Sequence, residues 1–572
     1  PVRAVDPAAR RLTSVTYHPL LCMDSALFNP AYMHLDEAQA RQTLFQLLDR
    51  AHAVGGEACL LWHNTSFMYG GTHPTDTPPM PGMEHARVAY GFPRRLYAEA
   101  CAYMARLQGK NFQPHLRILL ICDLFPPAFA PRMGYLTRYL QSFGHAVTVV
   151  SEKIGARGEF AFLREGVEVH EANFPDFLKA HFGRHRKHRV LYDLAARLCE
   201  ERPFDLVLSS TYRTFPMTVA ARIARRYNLP WVADLRDIIE QYPDCGFIAR
   251  PLPHWGGLEQ GLGRLWGMTQ IQKRNRLLRR TEAVTTVSHW HTALLGLAIR
   301  RPENVRRIPN GYDPVLYAFQ PQPTPTFDIV YTGRILSLAL RDPSLLLQAV
   351  EKGRRERAAW AQDARLVFYC DTASQRQITD LTARLSPTLN VSFPGNNDPS
   401  APVQLYGYIA SDELPAVLNR ASVLLVLTNR SAGHTAADPN AELARTRLYR
   451  PWHWFCQKKS DRRPQGVLTT KLFEAIGVEK PILCIRNDEG PIAELLRENG
   501  QGCAASTVAE VEAFLAAAHA QWQAQGYTHA PGAPEVRRPY RRDEQARQFE
   551  RLFLNLLGWP SEPLTENQDK KL

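Results

Sequence analysis

The sequence lacks an apolar run of membrane-spanning length. Stretches such as Ile118 to Cys122 and Val423 to Leu427 are strand-sized, whereas a spanning helix needs about 20 residues. No basic-then-apolar leader of the signal-peptide kind is seen at the start. The expectation is therefore a cytoplasmic protein, with any membrane contact peripheral at the inner face. Paired cysteines are also missing. The ten cysteines are scattered singly from Cys22 to Cys503, without a C-x-x-C pair or zinc spacing. That excludes a disulfide scaffold and a cysteine-based zinc module, and points to reduced core thiols. Internal repeats of solenoid period are lacking too. Carboxylates are the minority charge: 56 acidic against 69 basic residues leave a net +13. Such a surface attracts anions, and nucleic acid, anionic lipid and phosphorylated small molecules all qualify.

What is present is a globular composition, 45% hydrophobic and 22% charged, on a chain too long for one core. Residues 1–113 form a zone with a strand at Ser14 to Tyr17, a helix from Asp36 to Val54, a strand at Ala58 to Trp62 and a helix from Arg94 to Leu107. Residues 114–312 open on Leu116 to Cys122, a continuous apolar run of the kind buried in parallel sheets. A loop with Pro126, Pro127 and Gly134, a helix to Phe143 and a strand from Ala146 complete a βαβ unit. Further strands are expected at Leu206, Trp231 and Ala283.

Residues 313–540 repeat the pattern from Phe327, with strands at Leu366, Val403, Val423 and Pro481. An amphipathic closing helix occupies 541–558, and 559–572 is a polar tail expected to be disordered. The fold class is thus α/β, with two facing Rossmann-like domains plus a small α/β extension. Such domains bind ligands at the carboxyl ends of their strands, so the cleft between them is the expected site.

Two elements there suit a phosphate. Gly333 follows the strand Phe327 to Thr332, where backbone amides can approach an anion, and Arg334 and Arg341 can reach a diphosphate with forked hydrogen bonds. Equally, Gly333 is a plain turn and both arginines are solvated. Lys471 falls in the first turn of a helix capped by Thr469 or Thr470, against the helix dipole. A bound phosphate would account for that placement, and Glu474 could then accept from a ribose diol. Physics alone equally allows two exposed charges on an amphipathic helix.

Taken together and in order, several motifs resemble retaining glycosyltransferases of family four, which have the GT-B fold. They are Asp123-Leu124-Phe125-Pro126-Pro127, Val232 to Asp237, Thr286-Val287-Ser288, Ile308 to Asp313, Val330 to Gly333, Leu405 to Ile409 and Lys471-Leu472-Phe473-Glu474. The resemblance implies transfer of a sugar, with retention, from a UDP- or GDP-linked donor to an acceptor hydroxyl on a glycan or lipid. It implies neither a cofactor nor a metal. Arg334, Arg341 and Lys471 would stabilise the leaving diphosphate. Gly333, Tyr408, Thr470, Glu474 and Asn310 would bind the donor, while Asp234, Arg236, Asp237 and Arg132 would line the acceptor side. The sequence departs from the family at Gly466, where many relatives carry a glutamate eight positions before the one matching Glu474, and in the basic and aromatic insertion Arg445 to Arg463.

The opening zone resembles the last part of a polysaccharide deacetylase-like barrel, with His63 matching its closing histidine. The metal-binding half of such a barrel is absent from this chain, which implies a structural fusion partner. His181 and His185 have ligand-like spacing but sit among cations, and His289 and His291 decorate a helix start. The basic stretches Arg184 to Arg189 and Lys273 to Arg280 would suit an anionic membrane surface. Two alternatives stay open: a sugar-nucleotide epimerase of the same fold, and a non-catalytic basic binding protein. Nucleic acid is not expected, because only Arg445 to Arg463 interleaves aromatics with cations.

Overall fold

The computed structural model describes the chain outside residues 1, 7–10, 18–19, 30, 63–91, 109–114, 128–130, 154–159, 175–183, 212–213, 242–257, 336–337, 339–340, 387, 394–397, 429–469, 488–490 and 560–572. His63, Gly466, the insertion 445–463 and the tail from 560 thus lie outside the described residues, as do His181 and the side chain of His185.

The opening module begins with an antiparallel pair, β1 (Val2–Asp6) and β2 (Arg11–Tyr17). A parallel pair follows, β3 (Leu20–Met23) and β4 (Cys59–Leu61), with helices α1 (Asp24–Phe28) and α2 (Glu37–Ala53) between them. Asp36 starts α2 with a capping box: it accepts from the Gln39 amide, and the Gln39 side chain returns to the Asp36 amide. Helix α3 (Phe92–Leu107) packs on α2, pinned by a two-pronged Arg41–Glu99 pair at 2.7 and 3.0 Å. Leu27, Phe28, Leu44, Leu48, Phe92 and Leu96 are the module's core.

Two parallel seven-stranded sheets follow. The front sheet takes β5 (Arg117–Cys122), β6 (Ala146–Glu152), β7 (Glu168–Ala172), β8 (Leu206–Ser210), β9 (Trp231–Leu235), β10 (Ala283–Thr286) and β11 (Val305–Arg307). The back sheet takes β12 (Phe327–Thr332), β13 (Ala364–Tyr369), β14 (Val391–Ser392), β15 (Val403–Tyr406), β16 (Val423–Leu427), β17 (Ile482–Ile485) and β18 (Gly502–Ala505). Their strand orders are 11-10-9-8-5-6-7 in front and 14-15-13-12-16-17-18 behind. In each sheet the first strand lies at the point where the winding direction reverses, between β8 and β6 or between β13 and β16. The carboxyl ends beside such a reversal open a ligand crevice.

The central strands are covered on both faces, which is why their apolar runs are unbroken. Sequence expectation and structure diverge elsewhere for identifiable reasons. Helix α4 runs Pro131–Ser142 and already contains Gly134, which was expected in the preceding loop. A Cβ at that position would come within 2.7 Å of Pro126 Cγ and 3.0 Å of Leu163 Cβ, so the glycine marks close packing of the helix. Strands β7, β11, β14 and β18 carry no apolar run and were not anticipated. All four are sheet edges that need little burial, and β7 reads Glu-Val-His-Glu-Ala.

The chain passes between the domains twice. Tyr312 leads into the back domain, and its amide donates to the Tyr540 carbonyl at 2.9 Å. The Arg542 amide returns a bond to the Tyr312 carbonyl at 2.9 Å. The last helix (Arg542–Leu557) then crosses back. Its Ala546, Phe549, Phe553, Leu554 and Leu557 enter the front-domain core with Leu116, Ile118 and Leu120.

Candidate functional site

The back-domain wall of the crevice is built where β12 ends. Gly333 takes φ +110°, a conformation that side chains disfavour, and its amide donates to the Tyr369 carbonyl at 2.7 Å. The helix Thr470–Gly477 brings Lys471 to the same point. A Cβ on residue 333 would fall 1.6 Å from Lys471 Nζ. Glycine here makes room for an ammonium group.

That ammonium group is shielded from water and has no hydrogen-bond partner among the described residues. Its neighbours are the Tyr331 ring, 4.9 Å away, and the charge of Arg341. Burial first, and then Arg341, push its pKa down to about 7, against the pull of Glu474. Thr470 is the first described residue of this helix, and Thr469 lies outside the described residues.

Arg334 and Arg341 flank this point. Arg334 is exposed; its Nε donates to Tyr408 Oη at 2.8 Å and stands 3.4 Å from Asp371. Hydrogen bonds from Ser374, the largest cause, hold the Asp371 carboxyl below its ordinary range. Arg341 is half-buried and donates to the Arg334 carbonyl, which also accepts from Tyr331 Oη at 2.9 Å. Tyr408 is exposed, and the backbone at Gly407 borders open space. Gly333, Arg334, Arg341, Tyr408, Thr470 and Lys471 are therefore one neighbourhood.

Glu474 is held differently from the expectation. Its carboxylate accepts a hydrogen bond from Tyr317, a residue of the interdomain linker. Burial raises its pKa, opposed by Lys471, Tyr317 and Arg542. Arg542 comes from the closing helix, is itself buried, and lies 5.5 Å from the Tyr135 ring of the front domain. Burial and nearby Arg132 push Arg542 down to about 10. Glu474 is thus the meeting point of both domains and the linker. Neither Tyr317 nor Arg542 was singled out from sequence, because neither belongs to a local motif.

The front-domain residues separate into two groups. Arg132 and Asp234 are buried against each other, 2.9 and 3.2 Å apart at two contacts. Asp234 also accepts from Ser210 at 3.1 Å and Thr285 at 2.8 Å. Arg132 donates in addition to the carbonyls of Ile308 and Pro309 and, at 3.4 Å, to Asn310. These contacts occupy Asp234 and Arg132 in binding strand ends together and place Asn310 on Arg132. Arg236 and Asp237 remain half-buried at the strand end, with Arg236 3.7 Å from Asp123.

His289 is exposed. His291 is buried beside Thr286 at 3.2 Å, where burial pushes its pKa down to about 4. Among the described residues no group of three or more His, Cys, Asp or Glu could hold a metal. None of the described helices is long and apolar enough to cross a membrane.

Comparison with known proteins adds the following. Residues 129–311 match the glycosyl transferase 4-like domain. That match leaves the opening module outside it. No curated protein sequence matches the chain. Among solved structures, the chain is similar to a glycosyltransferase from Rickettsia africae, 11% identical with a TM-score of 0.50, covering 77% of this chain and 99% of that one. It is also similar to Anabaena HepE in complex with UDP-glucose, at 14% identity and a TM-score of 0.48, with 77% and 100% covered. A third is sucrose-phosphate synthase from Thermosynechococcus elongatus, at 12% identity and a TM-score of 0.45, with 77% and 99% covered. With two parallel sheets of matching winding, a crevice at their carboxyl ends and a closing helix that returns to the first domain, the chain has the GT-B fold.

Proposed function

We propose that this protein is a retaining glycosyltransferase that takes a UDP- or GDP-linked sugar and transfers it to a hydroxyl of a glycan or lipid-linked acceptor, in cell-surface polysaccharide or glycolipid synthesis. The observation that carries the reading is Lys471: a buried ammonium with no hydrogen-bond partner among the described residues, at the reversal point of the back sheet, over a glycine that makes room for it. A leaving nucleoside diphosphate gains negative charge as the glycosidic bond to its phosphate breaks. Cations fixed at that point in advance stabilise the charge without reorganising. Lys471, with Arg334 and Arg341 beside it, offers this arrangement.

The donor ribose would approach Glu474, and Tyr317 fixes the direction in which that carboxylate points. The GT-B fold and the glycosyl transferase 4-like match at 129–311 support the reaction class. The opening module, whose Arg95 packs against Gly558 at the end of the closing helix, we read as a structural partner of the transferase.

The test is nucleotide release by the purified chain from UDP- and GDP-sugars, with and without acceptor glycans. Release that is lost in Lys471→Met and Arg334→Ala is the expected result. Absence of nucleotide binding in the parent, or indifference to both substitutions, overturns the reading. A converted nucleotide sugar formed without acceptor would replace it with the epimerase.

A further inference from the structure

The crevice carries a nucleophile that sugar transfer does not use as one. Lys471 Nζ has no hydrogen-bond partner among the described residues and is shielded from water, while the residue as a whole is half-buried. The amine thus lies just beneath the crevice surface. The charged and titratable groups acting on it are Arg341, after β12; Glu474, one turn along its own helix; and the buried Cys370 thiol, after β13. Burial pushes that thiol up to about 12, so it is neutral. Arg341 donates to the Arg334 carbonyl and forms no ion pair with a carboxylate among the described residues.

Lys480 supplies the contrast. Its Nζ also lacks a hydrogen-bond partner among the described residues, and the whole residue is buried. Its neighbours are the rings of Phe319 at 5.4 Å and Tyr527 at 6.0 Å, and burial alone lowers its pKa, to about 8. Both amines therefore have a neutral, nucleophilic form near neutral pH. Only Lys471 has guanidinium groups beside it to hold an anion built on the nitrogen. Such a site suits an electrophile that is small and uncharged on entry and anionic after reaction, and carbon dioxide meets both conditions. The amine lone pair forms a C–N bond to the carbon, one C=O electron pair moves onto oxygen, and the nitrogen releases one proton to solvent. Nothing is oxidised or reduced. The product turns the like-charge contact of Lys471 with Arg341 into one between opposite charges. Glu474 opposes it, but that carboxylate also accepts from Tyr317 and feels Arg542.

We propose that Lys471 is a carbamylation site: its amine captures carbon dioxide as a carbamate held by Arg341 and Arg334, and in this form the crevice excludes the nucleotide. The regulatory consequence rests on the transferase reading. The covalent step does not, so the failure of one is separable from the failure of the other.

The experiment equilibrates the full chain with isotopically labelled carbon dioxide and bicarbonate, converts carbamates to stable ethyl esters with triethyloxonium ion, and reads the digested chain by mass spectrometry. Labelled ethoxycarbonyl on Lys471 is expected. At constant dissolved carbon dioxide it should fall at least about tenfold from pH 8 to pH 6, as an amine with a pKa of about 7 takes up its proton. Arg341→Gln should lower it about fivefold, with an unchanged thermal melt showing that the variant folds. Lys480 should stay unlabelled. In calorimetry, carbon dioxide should weaken UDP binding to the parent and leave Lys471→Arg unaffected, because arginine keeps the charge and lacks the nucleophile. No label on Lys471, or equal label on Lys480 and exposed lysines, overturns the proposal. Competition of bicarbonate with UDP without any label also overturns it, and assigns the site to a free bicarbonate ion. Label on Lys471 in a chain that binds no nucleotide upholds the carbamate and removes the transferase reading.

Discussion

Arg132 and Lys471 are both cations withdrawn from water at the carboxyl end of a parallel sheet, one in each domain. Their surroundings differ completely. Arg132 meets a carboxylate and two backbone carbonyls, and the carboxylate in turn accepts two hydroxyl donors. Lys471 meets an aromatic ring, another cation and a glycine, with the Glu474 carboxylate acting on it without a hydrogen bond. A buried charge is tolerable when paired and costly when alone. The first arrangement therefore holds the fold together, and on the proposed reading the second is a cost retained for a ligand that supplies negative charge.

The sharpest way to break this contrast is to remove each partner in turn. Asp234→Ala strands a buried guanidinium and should cost about 3–5 kcal/mol of stability, read as a shift in the denaturation midpoint. A cost near zero would mean that the pair is not structural. Lys471→Met should do the reverse. Stability without ligand stays level or rises, while nucleotide affinity falls by about 2 kcal/mol, a factor of roughly thirty, in calorimetry.

Gly333→Ala places a side chain at φ +110° against the ammonium. It should lose about 1–3 kcal/mol of stability and weaken the nucleotide as well. Tyr317→Phe, the mildest change, removes one hydrogen bond to Glu474 and should shift nucleotide affinity by about 1 kcal/mol.

Protonation sharpens the same contrast. In the ligand-free protein burial holds Lys471 at about 7, so at pH 8 most molecules carry it neutral. A bound diphosphate favours the charged form, so binding at pH 8 should take up a proton, and affinity should fall as pH rises above 7. Calorimetry in buffers of different ionisation heat detects the uptake. No uptake in the parent, or the same uptake in Lys471→Met, would remove Lys471 from the diphosphate contact.

The sequence showed the central strands to within a residue or two: Phe327–Thr332, Val403–Tyr406 and Val423–Leu427 begin and end where their apolar residues do. Burial on both faces leaves such strands no compositional freedom. Edge strands such as Glu168–Ala172 and Gly502–Ala505 have that freedom and were missed. The cluster around Gly333 was legible as a neighbourhood because Gly333 and Lys471 each sit in a local motif. Asp234 and Arg132 were legible as residues but not in role. Whether a cation is paired depends on contacts such as Arg132 with Ile308 and Pro309, which no local pattern encodes. Tyr317 and Arg542 reach Glu474 from the linker and the closing helix, by tertiary folding alone.

The closing helix has a consequence for the order of synthesis. Phe549, Phe553 and Leu557 complete a core begun at Leu116 and Ile118. While the ribosome is still translating the back domain, the front domain lacks one wall. Its apolar sheet face is bare until residues 542–557 emerge, and domains exposed in this way attract chaperones and aggregate. Joining the two chain ends and reopening the chain just before residue 542, by circular permutation, would place 542–557 ahead of the front domain and let that domain close earlier on the ribosome. The yield of soluble chain at elevated temperature would report the difference.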